Sequence, residues 1–149
     1  MRVLVTGSAG FIGYNLCNKL LEKKCTVYGV DNFDNYYSSN YKKKRILNLK
    51  KNKKFIFKEI DISHKKKIKS FLNKIKFDII IHLAAQAGVR YSYINPGKYI
   101  KTNIEGYLNL ILFSNKKKLK KIIYASSSSV YGDSKKFPLK ENEKLNPLN

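Results

Sequence analysis

The stretch Val5–Gly13, VTGSAGFIG, closes an N-terminal apolar run and opens a helical pattern. Its glycines follow the spacing GxxGxxG at the point where a predicted strand passes into a predicted helix. Gly7 allows a tight turn, Gly10 lets the backbone approach a pyrophosphate, and Gly13 lets the helix lie close to the strand. The free N–H groups at a helix N-terminus attract phosphate. The stretch therefore predicts the phosphate-binding turn of a dinucleotide site, the alternative being a plain glycine-rich turn without a ligand.

Strand and helix patterns alternate along the chain, which is typical of a parallel sheet with crossover helices. The run Phe77–His82 is apolar on both faces, as expected of a central strand with a helix on each side. We expect one α/β domain, a Rossmann-type doubly wound parallel sheet that is incomplete at about five strands. The predicted strands are Arg2–Thr6, about Cys25–Asp31, Phe55–Glu59, Phe77–His82 and Ile122–Ser126, and the predicted helices include Phe11–Lys23 and roughly Lys98–Asn115. The latter helix is expected to pack on the sheet through Ile100, Ile104, Leu108, Ile111 and Leu112.

The charge of the chain raises the question of a nucleic-acid partner. The 149 residues carry a formal net charge of +21, but of the 31 basic residues only Arg2, Arg45 and Arg90 are arginine. Nucleic-acid-binding surfaces draw heavily on arginine, so we expect solvated lysines and no nucleic-acid partner, with an anionic macromolecular partner as the less favoured alternative. The lysines cluster before predicted strands, near helix C-termini where cations are favourable: Lys23–Lys24, Lys50–Lys51, Lys53–Lys54, Lys74 with Lys76, and Lys116–Lys118 with Lys120–Lys121.

The remaining composition indicates a cytoplasmic protein with no membrane partner. No apolar run approaches the roughly 20 residues of a membrane-spanning helix, and the N-terminus does not read as a secretory signal. Cys17 and Cys25 have no CxxC spacing and no histidine nearby in sequence, which favours two reduced thiols and no metal site. His82 and His64 are expected to be structural or solvated rather than catalytic.

Polar residues stand where several predicted strands end, at the edge where open α/β sheets bind ligands. A carboxylate at Asp31 would accept hydrogen bonds from both adenosine-ribose hydroxyls and repel a 2′-phosphate, which favours NAD over NADP; its alternative is a turn aspartate in DNFDN. Asp61 and Ile62, just beyond the third strand, are candidates for holding adenine. The serine run in YASSSSVYG, Tyr124–Gly132, ends the fifth strand and is by itself more typical of a polar loop than of a catalytic segment.

These segments together resemble the extended short-chain dehydrogenase/reductase family, and within it the NAD-dependent nucleotide-sugar epimerases. GxxGxxG is that family's own glycine spacing. DNFDNYY, QAGVRYS and SSSSVYG are most similar to the UDP-glucuronate 4-epimerases. The resemblance covers essentially the whole chain and is carried by TGSAGFIG (6–13), DNFDNYY (31–37), DI (61–62), HLAAQAGVRYS (82–92), NPGKYIKTNIEG (95–106) and YASSSSVYG (124–132).

The resemblance implies how NAD would be held. Asp31 and Asn32 would take the adenosine ribose, and Asp61 with Ile62 would hold the adenine. The other implied contacts are Phe11 and Ile12 at the pyrophosphate beside Gly7, Gly10 and Gly13; Leu83, Ala84 and Ala85 after the fourth strand; and Asn103 near the nicotinamide.

The resemblance also implies the substrate contacts. Ser127 would be the catalytic residue that hydrogen-bonds the sugar O4, and Ser128 would contact the substrate. Arg90 would contact a phosphate or uronate group, its alternative being a structural salt bridge. Dehydratase relatives carry Asp-Glu directly after the catalytic residue, whereas Ser128 and Ser129 stand there in this chain, which argues against dehydration.

The implied activity is NAD-dependent epimerisation at C4 of a nucleotide sugar, with UDP-glucuronate favoured, by hydride transfer through a 4-keto intermediate. The family's catalytic Tyr-x-x-x-Lys pair is not expected within this chain. We therefore expect residues 1–149 to be the N-terminal portion of the NAD-binding domain, without the C-terminal substrate domain and inactive alone, from a protein that forms a homodimer. The alternatives are a decarboxylase, dehydratase or reductase of the same family, or a non-catalytic NAD-binding module.

Overall fold

A computed structural model describes residues 1–114 and 119–148. Its strands are β1 Arg2–Thr6, β2 Thr26–Asp31, β3 Phe55–Glu59, β4 Ile79–His82 and β5 Lys121–Tyr124. They form one parallel sheet in the order β3-β2-β1-β4-β5. The chain order reverses between β1 and β4, which makes this pair the topological switch point of a doubly wound sheet. The predicted fold class is confirmed.

Helices connect the strands: α1 Phe11–Glu22, α2 Ser39–Leu49, α3 Lys65–Asn73, α4 Val89–Ile94, α5 Pro96–Tyr99 and α6 Gly106–Ser114. A π-helical segment, Ile100–Glu105, joins α5 to α6, and a 3₁₀ helix, Ser128–Tyr131, follows β5. Lys23 and Lys50 directly follow α1 and α2, as predicted for cations at helix C-termini; Lys116–Lys118 lie outside the described residues. Within residues 1–114 and 119–148, no helix combines the length and apolar character needed to cross a membrane.

Apolar layers cover both faces of the sheet. On one face, α1 and α2 bury Cys17, Leu21, Ile46 and Leu49 against Val3, Val5, Val27 and Phe55. On the other face, α3 and α6 bury Ile68, Phe71, Leu72, Leu110 and Phe113 against Leu4, Val30 and Ile80. Both cysteines are buried free thiols, as predicted, and burial raises the pKa of Cys17 to about 12.

Four strand ends differ from the predicted bounds. Cys25 and Phe77 precede β2 and β4, while β5 begins one residue earlier than predicted, at Lys121, and ends before Ser126. Phe77 is nevertheless buried, with its ring packed edge-on against Tyr28. Its buried side chain continues the apolar sequence pattern of β4, although the backbone pairing between β4 and β1 begins only at Ile79.

The predicted helical cover on both sides of β4 is only partly correct. Ile80 is fully buried beneath α3 and α6. Ile79 and Ile81, which face the other side, are only partly buried. The α1–α2 layer packs mainly on β1, β2 and β3, so among the described residues helical cover of this face of β4 is incomplete.

The helical run before β5 packs on the sheet through a face that the sequence did not predict. Leu110 and Phe113 of α6 enter the core, whereas the predicted stripe is largely exposed, at 51% for Ile100, 58% for Ile104, 50% for Leu108 and 43% for Leu112. Two features explain the error. The π segment has more residues per turn than an α-helix and so rotates the faces that follow, and α6 is apolar nearly all round, which leaves its periodicity ambiguous.

Candidate functional site

A cavity of about 760 Å³ lies at the carboxyl ends of the strands, around the switch point. Its volume is typical of a small-molecule or cofactor site. The turn after β1 forms one wall, the loop after β2 and the start of α2 a second, and the residues after β3 and β4 the remainder. The sheet therefore places the predicted cofactor residues, with the exception of Asn103, around one space, although they are distant in sequence.

The glycine-rich turn has the geometry predicted from its spacing. Gly7 has a positive φ of 71°, and a Cβ there would lie 2.8 Å from the backbone nitrogen of Ala84. A Cβ on Gly13 would overlap the carbonyl oxygen of Gly7, so the close approach of α1 to the turn requires glycine. Gly10 is the N-cap of α1, no side chain caps the helix, and its first turn has no acidic residue. The N–H groups of that turn are therefore available to an anion, and the wall fits a pyrophosphate.

Asp31 joins this turn to the end of β2. Its Oδ2 accepts a hydrogen bond from the backbone N–H of Ala9 (3.1 Å), and its Oδ1 accepts one from Phe33 (2.9 Å). Burial raises the pKa of the carboxyl, while both hydrogen bonds and the nearby Lys42 ammonium oppose the rise. Asp31 also lines the cavity. The carboxylate lone pairs that do not accept backbone N–H groups can therefore accept hydrogen bonds from hydroxyl groups of a ligand.

The adenine wall predicted after β3 is assembled with Asn32. The Asn32 side-chain amide donates to Oδ2 of Asp61 (3.3 Å), and the Ser63 backbone N–H (2.9 Å) and hydroxyl (2.6 Å) donate to Oδ1. Burial tends to raise the pKa of Asp61, but the hydrogen bonds from Ser63 and Asn32 outweigh it and hold that pKa below its ordinary value. Asn32, Asp61 and Ile62 all line the cavity.

The loop after β4 is held by Thr6 at the end of β1. The Leu83 N–H donates to the Thr6 carbonyl (3.2 Å), and the Ala84 N–H donates to the Thr6 hydroxyl (3.3 Å). That hydroxyl also forms a hydrogen bond with Nδ1 of His82 (2.7 Å), in which the tautomer of the ring decides the donor. Burial lowers the pKa of His82 to about 4. His82 is therefore structural, as predicted, and Leu83, Ala84 and Ala85 line the cavity.

Asn103 does not line the cavity, although its neighbour Thr102 does. From the π segment, its Oδ1 accepts the Gln86 N–H (2.8 Å) and its Nδ2 donates to the Gln86 carbonyl (3.1 Å). The observed interaction of Asn103 is thus with the backbone of the loop after β4. A contact between Asn103 and a nicotinamide stays a prediction.

The predicted substrate residues lie outside the cavity lining. Ser127 is exposed, and its hydroxyl accepts the Ser129 N–H (3.2 Å) as the N-cap of the 3₁₀ helix. Ser128 is exposed in the same helix, while Ala125 lines the cavity. Arg90 is exposed in α4 and makes no ion pair within the described part of the chain, which removes the alternative of a structural salt bridge there. Substrate contacts of these residues stay predictions.

One sequence expectation needs correction, because Tyr131 and Lys135 do stand in Tyr-x-x-x-Lys spacing. Such a pair acts together when both side chains project from one face of a helix, one turn apart. Here the 3₁₀ helix ends at Tyr131, and Gly132 follows with a positive φ of 60°. Lys135 is exposed in the loop beyond, so this pair does not have the helical arrangement that the resemblance implies for catalysis.

The structure adds cavity residues that sequence reasoning missed. An ion pair between Asp34 and Lys98 (2.7 Å) joins the loop after β2 to α5. The additional lining residues are Val30, Asp34, Tyr37, Ser38, Tyr41, Lys42, Arg45, Ile60, Gln86, Ala87, Thr102 and Ala125. Those in the loop after β2 and at the start of α2 belong to or follow the segment DNFDNYYSS. That polar segment before a basic helix was the sequence feature that could have indicated them.

With this geometry in place, comparison with known proteins decides the family. Residues 4–149 match the family described as GDP-mannose 4,6 dehydratase, a group of extended short-chain dehydrogenases/reductases. The chain belongs to this family. The resemblance inferred from its motifs is confirmed.

Relatives of this GDP-mannose 4,6 dehydratase family member include epimerases. The chain is 42% identical over 147 residues to a UDP-glucuronate 4-epimerase of Thermodesulfobacterium geofontis, covering 97% of this chain and 46% of the relative. It is 43% identical over 145 residues to an uncharacterized protein of Methanocaldococcus jannaschii, covering 96% and 44%. Among solved structures, the UDP-glucuronic acid 4-epimerase of Bacillus cereus in complex with UDP-glucuronic acid and NAD matches with a TM-score of 0.86 and 35% identity, covering 99% and 46%. The chain thus spans about half the length of these relatives.

Proposed function

We propose that this chain is the N-terminal, cofactor-binding portion of an NAD-dependent epimerase that acts at C4 of a nucleotide sugar, UDP-glucuronate being the favoured substrate. The observation that carries the proposal is the cavity at the switch point, which unites the glycine-rich turn with Asp31. Its likeness to an epimerase solved with UDP-glucuronic acid and NAD supports the choice of cofactor and substrate.

In this proposal each wall of the cavity binds one part of NAD. The N-terminal turn of α1 binds the pyrophosphate, Asp31 and Asn32 form hydrogen bonds with the adenosine ribose, and Asp61 with Ile62 holds the adenine. A carboxylate in the position of Asp31 also repels a 2′-phosphate. NAD, when bound, supplies an acceptor for the C4 hydride and later returns it.

The sugar contacts are proposed for residues beyond β5. Ser127 hydrogen-bonds the sugar O4, while Ser128 and Arg90 contact the rest of the substrate. The exposed Ser127 hydroxyl accepts the Ser129 N–H and donates to the Ser129 hydroxyl (3.1 Å), so one lone pair remains for a ligand and rotation of the hydroxyl would redirect its proton to the sugar. The serines at positions 128 and 129 favour epimerisation over dehydration within the family.

We further propose that the whole protein is a cytoplasmic homodimer that does not bind nucleic acid. Two buried free thiols are typical of a reducing compartment. The exposed stripe Ile100, Ile104, Leu108 and Leu112 is the kind of apolar patch that marks a protein interface. In the whole protein, Leu108→Glu should shift the mass measured by light scattering from dimer to monomer, and an unchanged dimer would remove this stripe from the interface.

Calorimetric titration tests the cofactor assignment in this chain. NAD should bind more tightly than NADP, and Asp31→Ala should weaken NAD binding and narrow the difference between the two cofactors. The control is Asp133→Ala, which removes an exposed carboxylate that does not line the cavity. It should leave the affinities for NAD and NADP unchanged. Binding of NAD and NADP that does not respond to Asp31→Ala would remove Asp31 from the site.

The substrate assignment needs a separate assay. The whole protein should convert UDP-glucuronate to its C4 epimer, as seen by NMR of the sugar protons, with no net consumption of NAD. The 149-residue chain alone should show no turnover. Turnover by this chain, or release of carbon dioxide or a reduced sugar by the whole protein, would refute the corresponding part of the proposal.

A further inference from the structure

Helix α2 presents two half-buried cations to the cavity. Lys42 and Arg45, three residues apart and so on one side of the helix, line its wall. Lys43 and Lys44 lie between them in sequence but are exposed and do not line the cavity. The helix therefore directs two of four adjacent positive charges into the cofactor site, and the fold rather than composition selects them.

The two cations have different surroundings. The ammonium of Lys42 donates to the backbone carbonyl of Asp34 (2.7 Å), and its charge opposes the burial that raises the pKa of the Asp31 carboxyl. Lys42 thus compensates a carboxylate of the cavity wall. Arg45 has no carboxylate within ion-pair distance in residues 1–114 and 119–148, so its charge in the cavity is not offset by a protein anion there.

The guanidinium of Arg45 is fixed beside the phosphate-binding turn. Its Nη1 donates to the Ala9 carbonyl (3.1 Å), and its Cζ lies 5.9 Å from the centroid of the Phe11 ring. Ala9 and Phe11 flank Gly10, the N-cap of α1. The charged group therefore stands next to the N–H groups that can bind an anion, and one hydrogen bond leaves most of its five N–H donors free.

We infer that Arg45 binds the pyrophosphate of the dinucleotide, adding a charged contact to the neutral glycine-rich turn. Arginine forms short, charge-assisted and often bidentate hydrogen bonds to phosphate oxygens. The contacts with Ala9 and Phe11 orient the guanidinium before a ligand arrives, so little conformational freedom is lost on binding. This inference rests on the proposed function, because it needs a dinucleotide in the cavity.

The test compares three ligands with three variants of the chain. The ligands are NAD, ADP and adenosine, of which only adenosine lacks a phosphate. The variants are Arg45→Gln, Arg45→Lys and the control Lys44→Gln, which removes the same charge from the exposed side of the same helix. Affinities are measured by ligand-observed NMR at low and high salt, and circular dichroism reports the folding of each variant.

Arg45→Gln should weaken the binding of NAD and ADP about tenfold or more, as expected for the loss of a charged hydrogen bond. The binding of adenosine should be unchanged. Arg45→Gln should also reduce the salt dependence of NAD binding, which Arg45→Lys should partly restore. Lys44→Gln should resemble the unmodified chain. Unchanged adenosine binding in Arg45→Gln also shows that the pocket has kept its shape.

Two results would overturn the assignment of Arg45 and leave the proposed function standing. These are equal NAD binding by Arg45→Gln and Lys44→Gln, or an equal loss of adenosine and NAD binding, which would make Arg45 a wall residue without a phosphate contact. Failure of the folded, unmodified chain to bind NAD would instead refute the proposed function, and the inference with it.

Discussion

Acidification from pH 8 to pH 5 is expected to destabilise the fold chiefly through His82. The imidazole is buried, its Nδ1 forms a hydrogen bond with the Thr6 hydroxyl, and its ring stacks on Tyr107 with centroids 5.2 Å apart. Protonation would place a positive charge in this buried position, away from the water that solvates it in the unfolded chain. Charge on the ring therefore disfavours the folded state.

The magnitude follows from the pKa of His82, which burial lowers from 6.5 to about 4. Between these values the unfolded chain binds more protons than the folded chain, so stability falls as the pH falls. The full difference between the two pKa values corresponds to about 3 kcal/mol of folding free energy, of which about 2 kcal/mol is lost by pH 5. For a chain of this size, that loss corresponds to a decrease in Tm of about 4–8 °C.

Urea unfolding at a series of pH values, followed by circular dichroism, checks this expectation. His82→Asn places an amide oxygen near the position of Nδ1 and cannot take up a proton in this range, so its stability should change little between pH 8 and pH 5. His64, the other histidine, is exposed before α3, and His64→Asn should keep the pH dependence of the unmodified chain. The reasoning fails if His82→Asn and the unmodified chain lose equal stability on acidification.

Two further predictions concern the turn and the loop that bound the cavity. Gly13→Ala should destabilise the chain by about 1–3 kcal/mol in urea unfolding and weaken NAD binding, because the new Cβ overlaps the Gly7 carbonyl. The control is Gly97→Ala in α5, where the nearest atom to the new Cβ would lie 4.0 Å away, so the chain should not be destabilised. Equal effects of the two substitutions would contradict the steric argument. Asn103→Leu should lower the hydrogen-exchange protection of the Gln86 amide, whereas Asn103→Asp keeps its acceptor and most of the protection; unchanged protection in Asn103→Leu would show that the side chain does not hold the loop.

The cavity wall formed by the glycine-rich turn and the strand ends could be predicted because local spacing dictates its geometry. Gly7 needs a positive φ, and Gly13 must allow contact between consecutive elements of one βα unit. Asp31 ends β2 and Asp61 follows the end of β3, and the carboxyl ends of these neighbouring parallel strands necessarily meet at one edge. Each of these inferences depends only on chain order and on the direction of the strands.

The residues that were missed depend on side-chain geometry. Nothing in YKKKRIL distinguishes Lys42 and Arg45 from the two lysines between them until the orientation of α2 is known. The packing of Ile100, Ile104, Leu108 and Leu112 was misjudged for a related reason, since the π segment changes the helical period on which the prediction relied.

By itself, the sequence determined the parallel α/β class, the glycine-rich turn and the carboxylates at the strand ends, because these follow from periodicity, glycine conformation and strand direction. Only the tertiary structure decided which cations enter the cavity, that Asn103 binds the backbone of Gln86, and that His82 is buried in hydrogen-bond contact with Thr6. These facts join residues far apart in the chain at distances near 3 Å. Such distances are set by how the sheet and its helices pack, and no local pattern encodes them.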